Sequence, residues 1–162
     1  MMPVPFLKTA IFTVLAPGTV TALVPWLILR YAPAGRVDLG LARWAGAGII
    51  AIGAAIYFLC AFDFAFFGRG TPAPIDAPKE LVARHLYRFV RNPMYVGVLA
   101  AALGVSILFQ SAIVLAWTAL VAVVFHLFVV LYEEPHLRRT FGEPYVRYCQ
   151  EVPRWLPKRT VR

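Results

Sequence analysis

Residues 9–29, TAIFTVLAPGTVTALVPWLIL, carry no charged side chain. A helix of about 20 apolar residues can cross the hydrocarbon core of a bilayer, because it satisfies every backbone N–H and C=O internally. Three more runs read the same way: 41–62, which continues through FDFAFFG, then 94–110 and 111–131. Only Gln110-Ser111 marks the junction of the last two, which predicts a tight helical hairpin. The expected fold is all-α. It is a single domain, 1–162, built as a membrane bundle of four transmembrane helices, with a connection over 63–93 and a tail over 132–162. Lys8 precedes the first run and APAG follows it. That run is longer than the roughly 7–15 apolar residues of a signal peptide, so it reads as a span.

Composition supports the membrane reading. The chain is 60% hydrophobic and 15% charged, against about 25% charged in soluble domains. The net charge of +8 fits basic residues flanking spans and facing anionic lipid. No nucleic-acid recognition motif accompanies it, so nucleic acid is not an expected partner. With four spans, Lys8, Arg69, Lys79, Arg84, Arg88, Arg91 and all the basic residues of the tail fall on one side. Only Arg30, Arg36 and Arg43 fall on the other. The positive-inside rule then puts both termini in the cytoplasm. Cys60 and Cys149 have no spacing that suggests a zinc site or disulfide framework.

Small residues at four-residue spacing predict close helix packing: Ala47, Ala51 and Ala55 in the second run, and Gly97/Ala101 and Ala100/Gly104 in the third. Gly97 either packs this way or makes room for a ligand. The Pro- and Gly-rich stretch 68–80 predicts an extended connection. Residues 81–91 interleave apolar and basic positions, as an interfacial helix or a short irregular approach does. FGEPYVRY and VPRWLP in the tail mix aromatics with arginine, as interfacial segments do.

The polar residues concentrate at the cytoplasmic ends of the last two spans. In RNPMY, Asn92 is a suitable N-cap and Pro93 a suitable first helical residue. Arg91, Tyr95, Glu133 and Glu134 reach the same end of one hairpin. If the helix ends near 131, two carboxylates there oppose its dipole at about 0.3–1 kcal/mol each, so capping does not explain them. Ion pairs with Arg138 or Arg139, or plain solvation, remain as explanations. A helix start that holds an anion, beside carboxylates that hold a cation or sugar hydroxyls, matches a zwitterionic nucleoside such as S-adenosylmethionine. Tyr87 and Tyr95 either stack on its adenine or face its sulfonium, or belong to the aromatic interface belt. His126 is the candidate acid–base residue. It lies seven positions before Glu133, nearly on the same face and about 10 Å deeper. The alternative is a neutral histidine bonded to a neighbouring helix. Asp63 faces the interface. No metal site is expected.

LVARHLYRFVRNPMYVG resembles the LVxxGxYxxxRHPxYxG pattern of the isoprenylcysteine carboxyl methyltransferase family, whose architecture phospholipid methyltransferases share. YEEPHLRRTFGEPYVRYCQEVPRWLP resembles that family's EExxLxxxFGxxYxxYxxxVxRxxP ending. The resemblance covers about residues 79–157. It implies a membrane methyltransferase that uses S-adenosyl-L-methionine at the cytoplasmic boundary and takes a lipophilic acceptor from the bilayer. GTPAP is similar to bacterial members, which implies a bacterial inner membrane. By position, the cofactor residues are Lys79, Glu80, Leu81, Val82, Tyr87, Asn92, Pro93, Met94, Tyr95 and a carboxylate of the Glu133–Glu134 pair, with Arg91 and Gly97 beside them. Three departures stand out. Asn92 replaces the family's histidine, His85-Leu86 replaces its glycine, and residues 127–131 are apolar where eukaryotic relatives carry an arginine associated with the substrate carboxylate. The alternatives are a phospholipid or amine N-methyltransferase, an NADPH-dependent membrane reductase of related architecture, and a non-enzymatic scaffold.

Overall fold

The computed structural model describes residues 4–66, 81 and 83–157, and among these the regular structure is helical. Helices α1 (Val4–Leu15) and α2 (Val24–Tyr31) are joined through a π turn at Thr19–Leu23. Then come α3 (Ala45–Phe66), α4 (Pro93–Leu108) and α5 (Ala112–Phe128). A second π turn, Val129–Glu133, leads into α6 (Glu134–Phe141), and α7 (Glu143–Glu151) follows. Three continuous helical stretches are long and apolar enough to cross a membrane: Ala10–Tyr31, Gly40–Phe64 and Ala112–Phe141. The fourth expected span, α4, is apolar but has 16 residues. At 1.5 Å per residue it is about 24 Å long, short of a hydrocarbon core of about 30 Å.

Both π turns have the same cause. Proline lacks an N–H and crowds the carbonyl four residues back, so the preceding ladder cannot close as α-helix. Before Pro25, the Val24 N–H bonds Thr19 O, five residues back. The Val20 carbonyl is then left without a main-chain donor, because Val24 is engaged and Pro25 has none. The Trp117 indole N–H of α5 takes that carbonyl at 3.0 Å. Before Pro135, Glu134 N–H likewise bonds Val129 O. The helix therefore runs on through the glutamates to Phe141 instead of ending near 131. Glu134 opens the first turn of α6, where a carboxylate does not oppose the dipole.

Helices α3 and α4 form the tightest pair. A Cβ on Gly53 would stand 2.6 Å from Ala101 N and Gly97 O, and one on Gly104 would stand 2.6 Å from Gly46 O. The backbones touch only because these positions lack side chains. The packing face is thus Gly46–Gly53–Cys60, whereas the expected stripe of Ala47, Ala51 and Ala55 is exposed. The two sets lie on different faces of one helix, and only the partner helix decides which is covered. The buried core gathers Tyr57, Cys60 and Ala61 of α3, Met94 and Val98 of α4, and Tyr87.

The α4–α5 hairpin turns as expected. Gln110 adopts φ 57, and the Ser111 hydroxyl accepts from Val114 N. Residues 85–88 form a single 3₁₀ turn, the short irregular approach of the two alternatives. The connection 68–80 lies outside the described residues.

Candidate functional site

A cavity of about 300 Å³ opens where the π-turned first helix meets α3, the start of α4 and the end of α5. Tyr87, Arg91, Asn92, Met94, Tyr95 and Glu133 line its polar side. Phe12, Leu15, Val20, Phe64, Val98 and Phe125 line much of the rest. Its volume is at the lower end of the range for small-molecule sites. Six of the residues expected from sequence therefore share one cavity.

The two glutamates part company. Glu133 faces the cavity, and its Oε2 accepts from the Tyr95 hydroxyl at 2.7 Å. Glu134 is not among the lining residues; it is 6% exposed and turned towards the tail. Arg154 donates to it twice, Nε to Oε1 at 2.7 Å and Nη2 to Oε2 at 3.0 Å. Arg91 Nη1 lies 3.0 Å from the same Oε1. Adjacent helical residues point about 100° apart, so one cavity cannot take both. The close ion-pair partners of Glu134 are thus Arg91 and Arg154, while Arg138, at helical spacing, adds only a longer-range attraction.

This charged knot fastens the tail over the start of α4. Arg91 N donates to Pro153 O at 2.9 Å. Asn92 Nδ2 donates to Arg154 O at 3.2 Å, and no side-chain cap of α4 forms. The N-cap role read from RNPMY therefore falls to the Asn92 backbone, whose carbonyl accepts from Val96 N. Arg91 Nη1 also approaches Cys149 Sγ at 2.8 Å, and the Tyr148 hydroxyl donates to Tyr87 O at 2.6 Å. Burial pushes the Tyr87 phenol well above the ordinary tyrosine range, and its side chain is hydrogen-bonded to Cys60 of α3. The hydrogen bond to Glu134 raises Arg154 above its ordinary value.

The remaining expected residues lie elsewhere. Pro93 is buried at the first turn of α4. Gly97 is a packing position: a Cβ there would stand 2.8 Å from Gly53 O. Leu81 is half-buried and outside the cavity lining; Lys79, Glu80 and Val82 lie outside the described residues. His126 does not line the cavity. The π turn at Val129–Glu133 inserts one residue, so Phe125 and not His126 shares the face of Glu133. His126 Nδ1 instead accepts from Trp155 Nε1 at 3.2 Å, on the far side of α5. Asp63 is buried rather than interfacial, with Oδ1 2.8 Å from His85 Nδ1.

Sequence reasoning missed Phe12, Leu15, Val20 and Phe125 as cavity walls, and Arg154 as the main partner of Glu134. Pro25 and Pro135 were the available signals for the first group, since each forces a change of helical phase. The arginine of VPRWLP was the signal for the second.

A family model described as phospholipid methyltransferase matches residues 41–144. Protein-S-isoprenylcysteine O-methyltransferase B of Arabidopsis thaliana is 34% identical over 80 residues, covering 48% of this chain and 40% of that protein. Phosphatidylethanolamine N-methyltransferase B of Dictyostelium discoideum is 44% identical over 56 residues, covering 35% of this chain and 28% of that protein. The chain thus spans less than half the length of these relatives. The α1 wall of the cavity and the Arg154 clasp lie outside the residues matched by the family model.

Proposed function

The chain belongs to the phospholipid methyltransferase family, and from that premise we propose that it is an integral membrane methyltransferase using S-adenosylmethionine in the Glu133 cavity. The observation that carries this reading is the meeting of Glu133, Asn92, Tyr95 and the start of α4 around one cavity whose remaining lining is mostly apolar or aromatic.

The donor set fits such a cofactor. The first N–H groups of α4 have no intrahelical acceptor and offer a seat for a carboxylate. Glu133, held by Tyr95, supplies the negative charge for an ammonium or for ribose hydroxyls. Tyr87, Tyr95 and Phe125 supply aromatic surface. The cofactor, when bound, supplies an electrophilic methyl group on a sulfonium. The chain's own contribution is positioning and exclusion of water. The apolar side chains of the π-turned first helix shape the path of a lipophilic acceptor from the bilayer. Since α4 is about 6 Å shorter than the hydrocarbon core, its polar start lies within reach of an acceptor that remains in the membrane. All four helical runs span the bilayer in this reading. The start of α4 and the tail face the cytoplasm of a bacterial inner membrane.

A phospholipid amine is the second acceptor class, favoured by one observation. Among the described residues Arg91 supplies the one guanidinium on the cavity wall; its Nη1 is engaged by Glu134 and Cys149, and its buried Nε lacks a partner. Its charge is balanced by Glu134 rather than left for an acceptor carboxylate, and residues 127–131 supply no arginine.

The test is binding of S-adenosylhomocysteine and of NADPH to the purified protein in detergent, repeated with Glu133→Gln. Saturable S-adenosylhomocysteine binding, weakened about tenfold by the substitution, is the expected result. Binding of NADPH alone, or of neither, refutes the reading. Labelled methyl transfer to extracted lipids then identifies the acceptor.

A further inference from the structure

Three arginines converge at the other end of the bundle. Arg30 closes α2, Arg36 lies in the following loop, and Arg43 precedes α3. All three line one cavity of about 770 Å³, beside Trp26, Trp44 and Gln110. Every basic residue on that side of the chain thus reaches the same recess. No ion pair links any of the three to a carboxylate among the described residues. Asp38, the acid of this loop, accepts from Gly40 N at 2.8 Å. Like charges gathered without a counter-charge repel one another, and an anion relieves that repulsion.

The recess is also braced. Gln110 accepts from Val37 N through its carbonyl at 3.0 Å, and from Leu39 N through its side chain at 2.7 Å. Ala112 N donates to Gly35 O at 2.9 Å. The loop carrying Arg36 is therefore stitched to the α4–α5 turn, and the Arg43 guanidinium is seated 5.0 Å from the Trp44 ring centroid. Guanidinium forks match phosphate oxygens, and two tryptophans beside apolar helix surface mark the headgroup level of a bilayer.

We propose that this recess binds the phosphate of an anionic phospholipid head group, with the acyl chains lying along α2 and α4. The site is at the opposite end of the bundle from the Glu133 cavity, so it holds lipid of the other leaflet.

The test uses the full chain in a neutral maltoside detergent and measures retention of labelled phosphatidylglycerol and phosphatidylcholine. Phosphatidylglycerol should be retained preferentially, and rising salt should release it. Arg36→Gln and Arg43→Gln should each weaken retention about three- to tenfold, while Arg147→Gln, on α7 at the other end, leaves it unchanged. Equal retention of the two lipids, retention insensitive to salt, or retention unchanged by both recess substitutions overturns the proposal. Displacement of the lipid by millimolar inorganic phosphate also overturns it, because the ligand is then free phosphate. Tryptophan fluorescence melting checks that each substituted chain is folded, and Arg36→Gln and Arg43→Gln probe the recess independently, so the reading stands if one of them fails to fold.

Discussion

Glu134→Gln should destabilise this protein far more than Glu133→Gln, although the two residues are adjacent and chemically identical. Glu134 is buried and receives three contacts from two guanidinium groups, at 2.7, 3.0 and 3.0 Å. Replacing it with glutamine removes the charge and turns an amide N–H towards a guanidinium N–H. Removing one partner of a buried pair costs about 3–5 kcal/mol, because the remaining charges stay desolvated. The Arg91 side chain is 11% exposed and that of Arg154 31%, so water relieves part of the loss at Arg154. About 3 kcal/mol is the working figure. On the scale of domains of this size, it lowers Tm by about 6–12 °C. Glu133→Gln keeps an oxygen for the Tyr95 hydroxyl and should cost under about 1 kcal/mol. Thermal unfolding in one detergent, followed by tryptophan fluorescence, measures both. Restoring charge balance in Glu134→Gln/Arg91→Met should recover part of the loss. The assignment fails if Glu133→Gln is the more damaging change, or if Glu134→Gln melts with the parent protein.

Three further outcomes follow from the geometry. Gly53→Leu should cost at least about 1–3 kcal/mol, because its Cβ meets backbone atoms of α4; Gly48→Ala, with open space around it, should be neutral or stabilising by up to about 1 kcal/mol. Thermal unfolding separates the two. Trp117→Phe leaves the Val20 carbonyl without its donor and should cost about 1–3 kcal/mol, with faster amide exchange around residues 19–24. Tyr95→Phe leaves the Glu133 carboxylate without its donor; it should weaken S-adenosylhomocysteine binding several-fold by calorimetry and cost about 1–3 kcal/mol in thermal unfolding.

Much of the site was legible in local chemistry. RNPMY and EEP announced a helix start and an acidic doublet, and the short Gln110-Ser111 junction required the two to meet at one end of a hairpin. Face assignments were less legible, because they depend on helical phase. Pro135 shifts that phase by one residue just before the glutamates, which exchanges His126 for Phe125 on the cavity wall. The sequence also shows two competing small-residue stripes on 45–60. Nothing local ranks them, since the ranking depends on how closely another backbone can approach.

The sequence by itself determined that this chain is helical and apolar enough for a bilayer, because unpaired backbone groups cannot persist in hydrocarbon and the charges are confined to the ends of the runs. It also placed Pro25 and Pro135, which cannot donate whatever their surroundings, although Pro17 in the same first stretch is preceded by no π turn. Only the tertiary structure decided that Glu133 faces a cavity while Glu134 holds Arg91 and Arg154, that Gly46 and Gly53 rather than the alanines carry the contact, and that three distant arginines share one recess. Those outcomes depend on which surfaces meet across tens to more than a hundred residues of chain, and a side chain's role follows from what stands opposite it.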